Sequence, residues 1–247
     1  MRTIKFLTAS TLIVSLAACG SGSSTDPKFG SLVSFGDSLS DVGTYAVGTV
    51  KTPLNGGKYT VNGPDGKNWI DLMASRLNLP APCAAETGLD GLAAQGFSVP
   101  ATKVAGCTAY GQGGARVTNP VGPGNKLLGG SNAVLGQLTV PVITQMNNHL
   151  AAAGGAYKGN EAVFILAGGN DVFINLGAVG AGAATPTQAV TEMGKAGAEL
   201  AGYIKAFVLD KGAQYVTVVN LPDVSKTPFA YSLDVDTQGL ISLMSST

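Results

Sequence analysis

Short apolar runs closed by glycine alternate along this chain with longer stretches in which apolar residues return every three or four positions. Ser31–Phe35 reads SLVSF and stops at Gly36, which predicts a short strand. Trp69, Leu72, Met73 and Leu77 fall at helical spacing within Asn68–Leu79, and Pro80 and Pro82 close that helix. Thr108–Tyr110 predicts another short strand, running into GQGGAR. A helix starts at Pro141, with Val142, Met146 and Leu150 recurring every four residues. Ala162–Ala167, AVFILA, is apolar throughout, the pattern of a strand buried on both faces. Thr185-Pro186 opens a long helix to about Asp210. Val190, Met193, Leu200, Ile204 and Phe207 mark its buried face, and Lys211-Gly212 supplies its C-cap. Tyr215–Asn220, YVTVVN, predicts one more buried strand. Pro80–Val104, rich in Ala, Gly and Pro, and Val117–Gly136, punctuated by Gly, Asn and Pro, read as loops. Strands alternating with helices predict an α/β fold whose parallel sheet is covered on both sides.

Composition narrows the function. Fifteen Lys and Arg balance 15 Asp and Glu among 247 residues, so there is no basic excess to hold nucleic acid. With 45% hydrophobic and 12% charged residues, the chain has the apolar content for a packed core. Arg2 and Lys5 precede Phe6–Ala18, an uncharged run too short to span a bilayer, which needs roughly 20 residues. That pattern fits a secretory leader over 1–18. It ends LAAC, which resembles a bacterial lipobox and implies lipid on Cys19; the bland alternative is an ordinary leader with a chance cysteine. Gly20 after the cysteine points, by the same resemblance, to the outer membrane. Residues 19–29 read as a flexible tether and 30–247 as the domain. Cys83 and Cys107, 24 positions apart, read as a disulfide in an oxidising compartment or as two unpaired buried thiols. One His and two Cys cannot build a standard zinc site, so no metal is expected.

In an open parallel sheet, ligands bind beyond the carboxyl ends of the strands. The segments found there are FGDSLSD (35–41), YGQGGAR (110–116), AGGND (167–171) and LPD (221–223). Three of the four are polar and glycine-rich, more than a plain turn requires. Ser38 stands at a strand-to-helix junction, where it is either a helix N-cap or an exposed hydroxyl near a helix N-terminus. Gly36-Asp37-Ser38-Leu39-Ser40 lacks the last glycine of G-x-S-x-G, which weighs against an ordinary α/β-hydrolase elbow.

FGDSLSD, AYGQGGARV and LAGGNDV resemble, in order, the first three sequence blocks of the GDSL (SGNH) lipases and esterases. In finer detail the chain is similar to their bacterial phospholipase/lecithinase/hemolysin-like subgroup. The resemblance implies a three-layer α/β/α sandwich of flavodoxin-like type. It also implies Ser38 as nucleophile, and an oxyanion hole from the N–H groups of Ser38 and Gly114 and the side chain of Asn170, with Gly113 the alternative to Gly114. It implies no cofactor, and an ester substrate. Asp37 and Asp171 read as hydrogen-bonding scaffold beside these residues.

The family's fourth block, D-x-x-H, is not found. Asp234 is followed three residues on by Thr237, and Asp236 by Gly239. The single histidine, His149, lies in QMNNHLAAA and reads as a surface residue. The sequence therefore reads as a truncated or frameshifted copy lacking the last part of its domain. Three classes stay open: an ester hydrolase, a non-catalytic surface lipoprotein that binds lipid or glycan, and an acyltransferase using the same acyl-enzyme.

Overall fold

The computed structural model describes residues 27–63 and 65–247; the expected leader over 1–18 and Cys19 lie outside them. The strands are β1 (Ser31–Gly36), β2 (Glu86–Asp90), β3 (Ser98–Lys103), β4 (Glu161–Leu166) and β5 (Tyr215–Val218). The helices are α1 (Gly48–Lys51), α2 (Trp69–Arg76), α3 (Gly130–Leu135), α4 (Val142–Ala153), α5 (Gly169–Gly180), α6 (Pro186–Phe207), α7 (Pro228–Tyr231) and α8 (Val235–Ser246).

β1, β4 and β5 pair in parallel in the order β1-β4-β5, with Ser31 opposite Glu161 and Ala162 opposite Tyr215. Residues 108–112 run along the free side of β1. Ser34 N–H donates to Thr108 O (3.1 Å) and Tyr110 N–H to Ser34 O (2.8 Å), continuing the sheet one place outward. Side chains leave a strand on alternate faces, and this divides the core in two. Val33, Phe35, Val163 and Ile165 pack with Val142, Met146 and Leu150 of α4 and with the apolar stripe of α6. Leu32, Ala162 and Phe164 face the other way, onto Ile70, Ala74 and the half-buried Trp69 and Met73 of α2. The result is the expected three-layer α/β/α sandwich. A third cluster joins α5, α6 and α8 through Val172, Met193, Leu240, Ile241 and Met244.

Local signals explain the helix ends. Asn68 caps α2 with a capping box completed by Asp71, Thr185 and Gln188 do the same for α6, and Gly212 turns the chain after it at φ 99°. Four expectations change. Pro80–Val104 is not all loop: β2 and β3 form an antiparallel hairpin held by backbone pairing, with only Leu89 of its apolar residues fully buried, so no hydrophobic alternation announces it. Val117–Gly136 contains the helix α3. Leu72 is 54% exposed, because Ile70 and Ala74, not Leu72, point at the sheet. The fourth strand is not buried: Tyr215 is 40% and Val218 47% exposed, because β5 is the edge of the sheet and, among the described residues, only Val216 of the strand packs into the core.

Cys83 and Cys107 are disulfide-bonded, with Cα atoms 5.1 Å apart. The bridge closes a 24-residue span around the β2–β3 hairpin. Cys83→Ser combined with Cys107→Ser should lower the unfolding free energy by about 3 kcal/mol through the added entropy of the unfolded chain. Urea unfolding measures this, and an unchanged midpoint would contradict it.

Candidate functional site

The carboxyl end of β1 turns directly into the first of the three segments. Gly36 has φ 153°, and a side chain there would collide with the Leu166 carbonyl at the end of β4, so only glycine allows this close approach. Asp37 N–H donates to that same carbonyl (3.3 Å). Ser38–Ser40 form a single helical turn whose cap is Asp37: its carboxylate accepts Leu39 N–H at 3.0 Å. The capping role open to Ser38 in the sequence thus falls to its neighbour, and the half-buried Ser38 hydroxyl is not used in the cap. Asp41 closes the segment by accepting the N–H groups of Gly43 and Thr44, both at 2.8 Å. Burial raises Asp37 and Asp41 to about 6 against the opposing pull of these backbone donors.

The second segment folds back over the first. Gly114 sits at φ 75°, where a side chain would strike the Pro123 carbonyl. Ala115 N–H donates to Gln112 O (3.1 Å), while the Gly113 N–H faces the Asp41 carboxylate. Among the described residues the Gly114 N–H has no backbone partner. Tyr45 pins the turn by donating its hydroxyl to Gly113 O (2.9 Å).

The third segment opens α5, with Gly168 at φ 111° as the residue before the helix. Asn170, buried, donates one Nδ2 hydrogen to Ala115 O at 2.8 Å. An amide carries two such hydrogens, so a second remains for another acceptor. Asp171 accepts Arg116 Nε (2.8 Å) and Val117 N–H (3.0 Å), both largely shielded from water. Burial still raises Asp171, although Arg116 and the Val117 N–H pull it down. A Cβ placed on Gly169 would stand 3.6 Å from Asp37 Oδ2, so the first and third segments touch as well. Asp37 and Asp171 therefore do what a scaffold does, each holding backbone or guanidinium rather than facing open space.

The GDSL-like lipase/acylhydrolase family model matches residues 32–245. The chain belongs to this family. No curated protein matches it. The family is one of ester hydrolases of the lipase and esterase type, and membership in it implies small-molecule ester substrates.

His149 corrects the sequence reading. It is not a surface residue but 5% exposed, enclosed by the rings of Phe35, Tyr110 and Tyr157, with centroids 5.8, 5.5 and 4.8 Å away. Among the described residues neither ring nitrogen has a hydrogen-bond partner, so it is not bonded to Ser38. Burial lowers its pKa to about 4. The helical spacing of Met146, His149 and Leu150 was the signal that placed it on an inward face. Asp223 and Asp234 are spent as helix caps, Asp223 for the turn at Val224–Lys226 and Asp234 for α8. An open groove of about 540 Å³ lies over the ends of β4 and β5, bordered by Gly168, Leu200, Val218, Leu221 and Met244.

Proposed function

We propose that the chain acts on carboxylic esters through an acyl-enzyme on Ser38, as a carboxylesterase or lipase. The Ser38 oxygen attacks the ester carbonyl carbon, the alcohol departs with the serine proton, and water then releases the acid. The N–H groups of Ser38 and Gly114 and the Asn170 amide receive the oxyanion in both tetrahedral intermediates. One observation carries this reading: the Asn170 amide, bonded at 2.8 Å to Ala115, joins the third segment to the residue after Gly114 and keeps a second N–H to donate. The apolar groove beside Gly168 gives the hydrocarbon part of an ester a place to lie.

Ser38→Ala should abolish hydrolysis of p-nitrophenyl acetate. Asn170→Ala should lower kcat by about 10²–10³-fold, roughly 3–4 kcal/mol of transition-state stabilisation. Equal turnover by Ser38→Ala and the parent would refute the mechanism.

The same reading makes the 247-residue chain a weak enzyme. A serine without a positioned base is a poor nucleophile, and His149 is enclosed by aromatic rings. Fusing a D-x-x-H segment to the chain should raise turnover strongly. A non-catalytic lipid- or glycan-binding role is favoured by the same enclosed histidine. It is supported if Ser38→Ala leaves every measurable property unchanged while ligand binding persists. Transfer to an alcohol shares the acyl-enzyme, and product analysis with added alcohol separates it from hydrolysis. Export and lipid attachment at Cys19 belong to this proposal, on the strength of the charged n-region, the short apolar run and LAAC. Mass spectrometry of the mature N-terminus tests it, and an unmodified residue elsewhere in the leader would refute it.

A further inference from the structure

Gln145 of α4 is 109 residues from Gly36 in sequence, yet its carboxamide takes both backbone groups of that glycine. Gly36 N–H donates to Gln145 Oε1 (2.9 Å), and Gln145 Nε2 donates to Gly36 O (2.9 Å). Nε2 also donates to Val140 O (2.9 Å). Val140 N–H in turn donates to Gln112 Oε1 (3.0 Å), and Gln112 N–H donates to Gly36 O (3.1 Å). Five hydrogen bonds thus close a circuit through the end of β1, the start of the Gln112–Arg116 turn and the N-terminus of α4. The side chain of Gln145 is buried, with the residue 1% exposed.

The sheet's own register shows what this group replaces. Along β1, Ser34 N–H donates to Thr108 O and Ser34 O accepts Tyr110 N–H. Continued by two residues, that parallel ladder would carry Gly36 N–H to Tyr110 O. It goes to Gln145 Oε1 instead. Only this rung is replaced, since the next one, Gln112 N–H to Gly36 O, is kept, and a carboxamide, the side-chain equivalent of a peptide group, satisfies the donor left over. From the reading of Ser38 as nucleophile, we infer that Gln145 is a positioning residue: it fixes Gly36, two residues before Ser38, in one frame with Gln112, two residues before Gly114. A fully satisfied buried network has one low-energy arrangement, and small displacements of reacting groups lower rates by up to about 10²-fold.

The test compares Gln145→Leu and Gln145→Glu with the parent and with Ser38→Ala, on p-nitrophenyl acetate, from pH 5 to 8. A protonated glutamate keeps the acceptor and one of the two hydrogens that Gln145 donates, in nearly the shape of glutamine; its ionised form has lost both. Asp37, Asp41 and His149 titrate near the same frame, so each variant is normalised to the parent at the same pH. The expected result is a kcat about 10–100-fold below the parent for Gln145→Leu at every pH, with KM within twofold. Gln145→Glu should match that loss at pH 8 and return to within about threefold of the parent at pH 5. Parent-like kcat in both variants overturns the inference. So does a loss that follows the unfolded fraction in circular dichroism with no recovery of Gln145→Glu at pH 5, since that assigns Gln145 to the core alone. If Ser38→Ala hydrolyses as fast as the parent, the nucleophile reading itself has failed and the positioning role goes with it.

Discussion

Asp171→Ala is expected to lower the unfolding free energy by about 3–5 kcal/mol, the range for removing one partner of a buried ion pair. Asp171 is the joint between the start of α5 and the Arg116–Val117 backbone, accepting Arg116 Nε at 2.8 Å and Val117 N–H at 3.0 Å. Truncation leaves a shielded guanidinium without its carboxylate and a buried N–H without its acceptor, and each carries a desolvation penalty. Asp171→Asn keeps one acceptor oxygen in place and should lose distinctly less. The same truncation loosens the strap that carries Ala115 against Asn170, so residual esterase activity should fall with it. Urea unfolding of both variants tests the assignment. A stability of Asp171→Ala within 1 kcal/mol of the parent would show that the pair contributes only what an exposed one does.

The second large effect is set by pH. His149 titrates at about 4 in the folded chain and at about 6.5 when exposed, because burial among three rings disfavours its cation. The unfolded state therefore takes up this proton first as the pH falls. The stability that the neutral ring permits is complete above pH 6.5 and is lost between 6.5 and 4, by about 3 kcal/mol in all. Asp37 and Asp41 work in the opposite direction. Their folded values are raised to about 6 from 3.8, so their protonation favours the folded state as the pH falls through that range. The three contributions partly cancel in the parent chain and are separated by His149→Phe. Relative to the parent, that variant should gain about 3 kcal/mol between pH 7 and pH 4. A stability difference between the two proteins that stays flat with pH would mean that His149 is as accessible to water folded as unfolded.

Both effects arise where the sequence and the tertiary structure part company, and the division has a physical basis. The sequence alone determined the elements whose cause is local. SLVSF and AVFILA are apolar over a strand's length and became β1 and β4; the four-residue recurrence of Val142, Met146 and Leu150 became α4. Asn68 and Thr185 started helices, and Gly212 closed the turn after α6, through bonds that reach only a few residues. The glycine-rich strand ends were legible for the same reason: a parallel sheet sends its loops to one edge, so three polar segments following three strands had to meet. The two cysteines were legible once paired burial or a bridge were the only choices, and the bridge formed.

What only the tertiary structure decided is which neighbour each polar group finds. Residue type tells how strongly a group needs a partner and nothing of where that partner is. His149 and Gln145 share the inward face of α4 with Met146, yet one is enclosed by aromatic rings without a hydrogen bond to any described residue and the other has both amide hydrogens in use. The β2–β3 hairpin was invisible because backbone pairing, which every sequence can offer, holds it together. YVTVVN was as apolar as a central strand but lies at an edge, since burial belongs to the arrangement of neighbours around a strand and not to the strand itself.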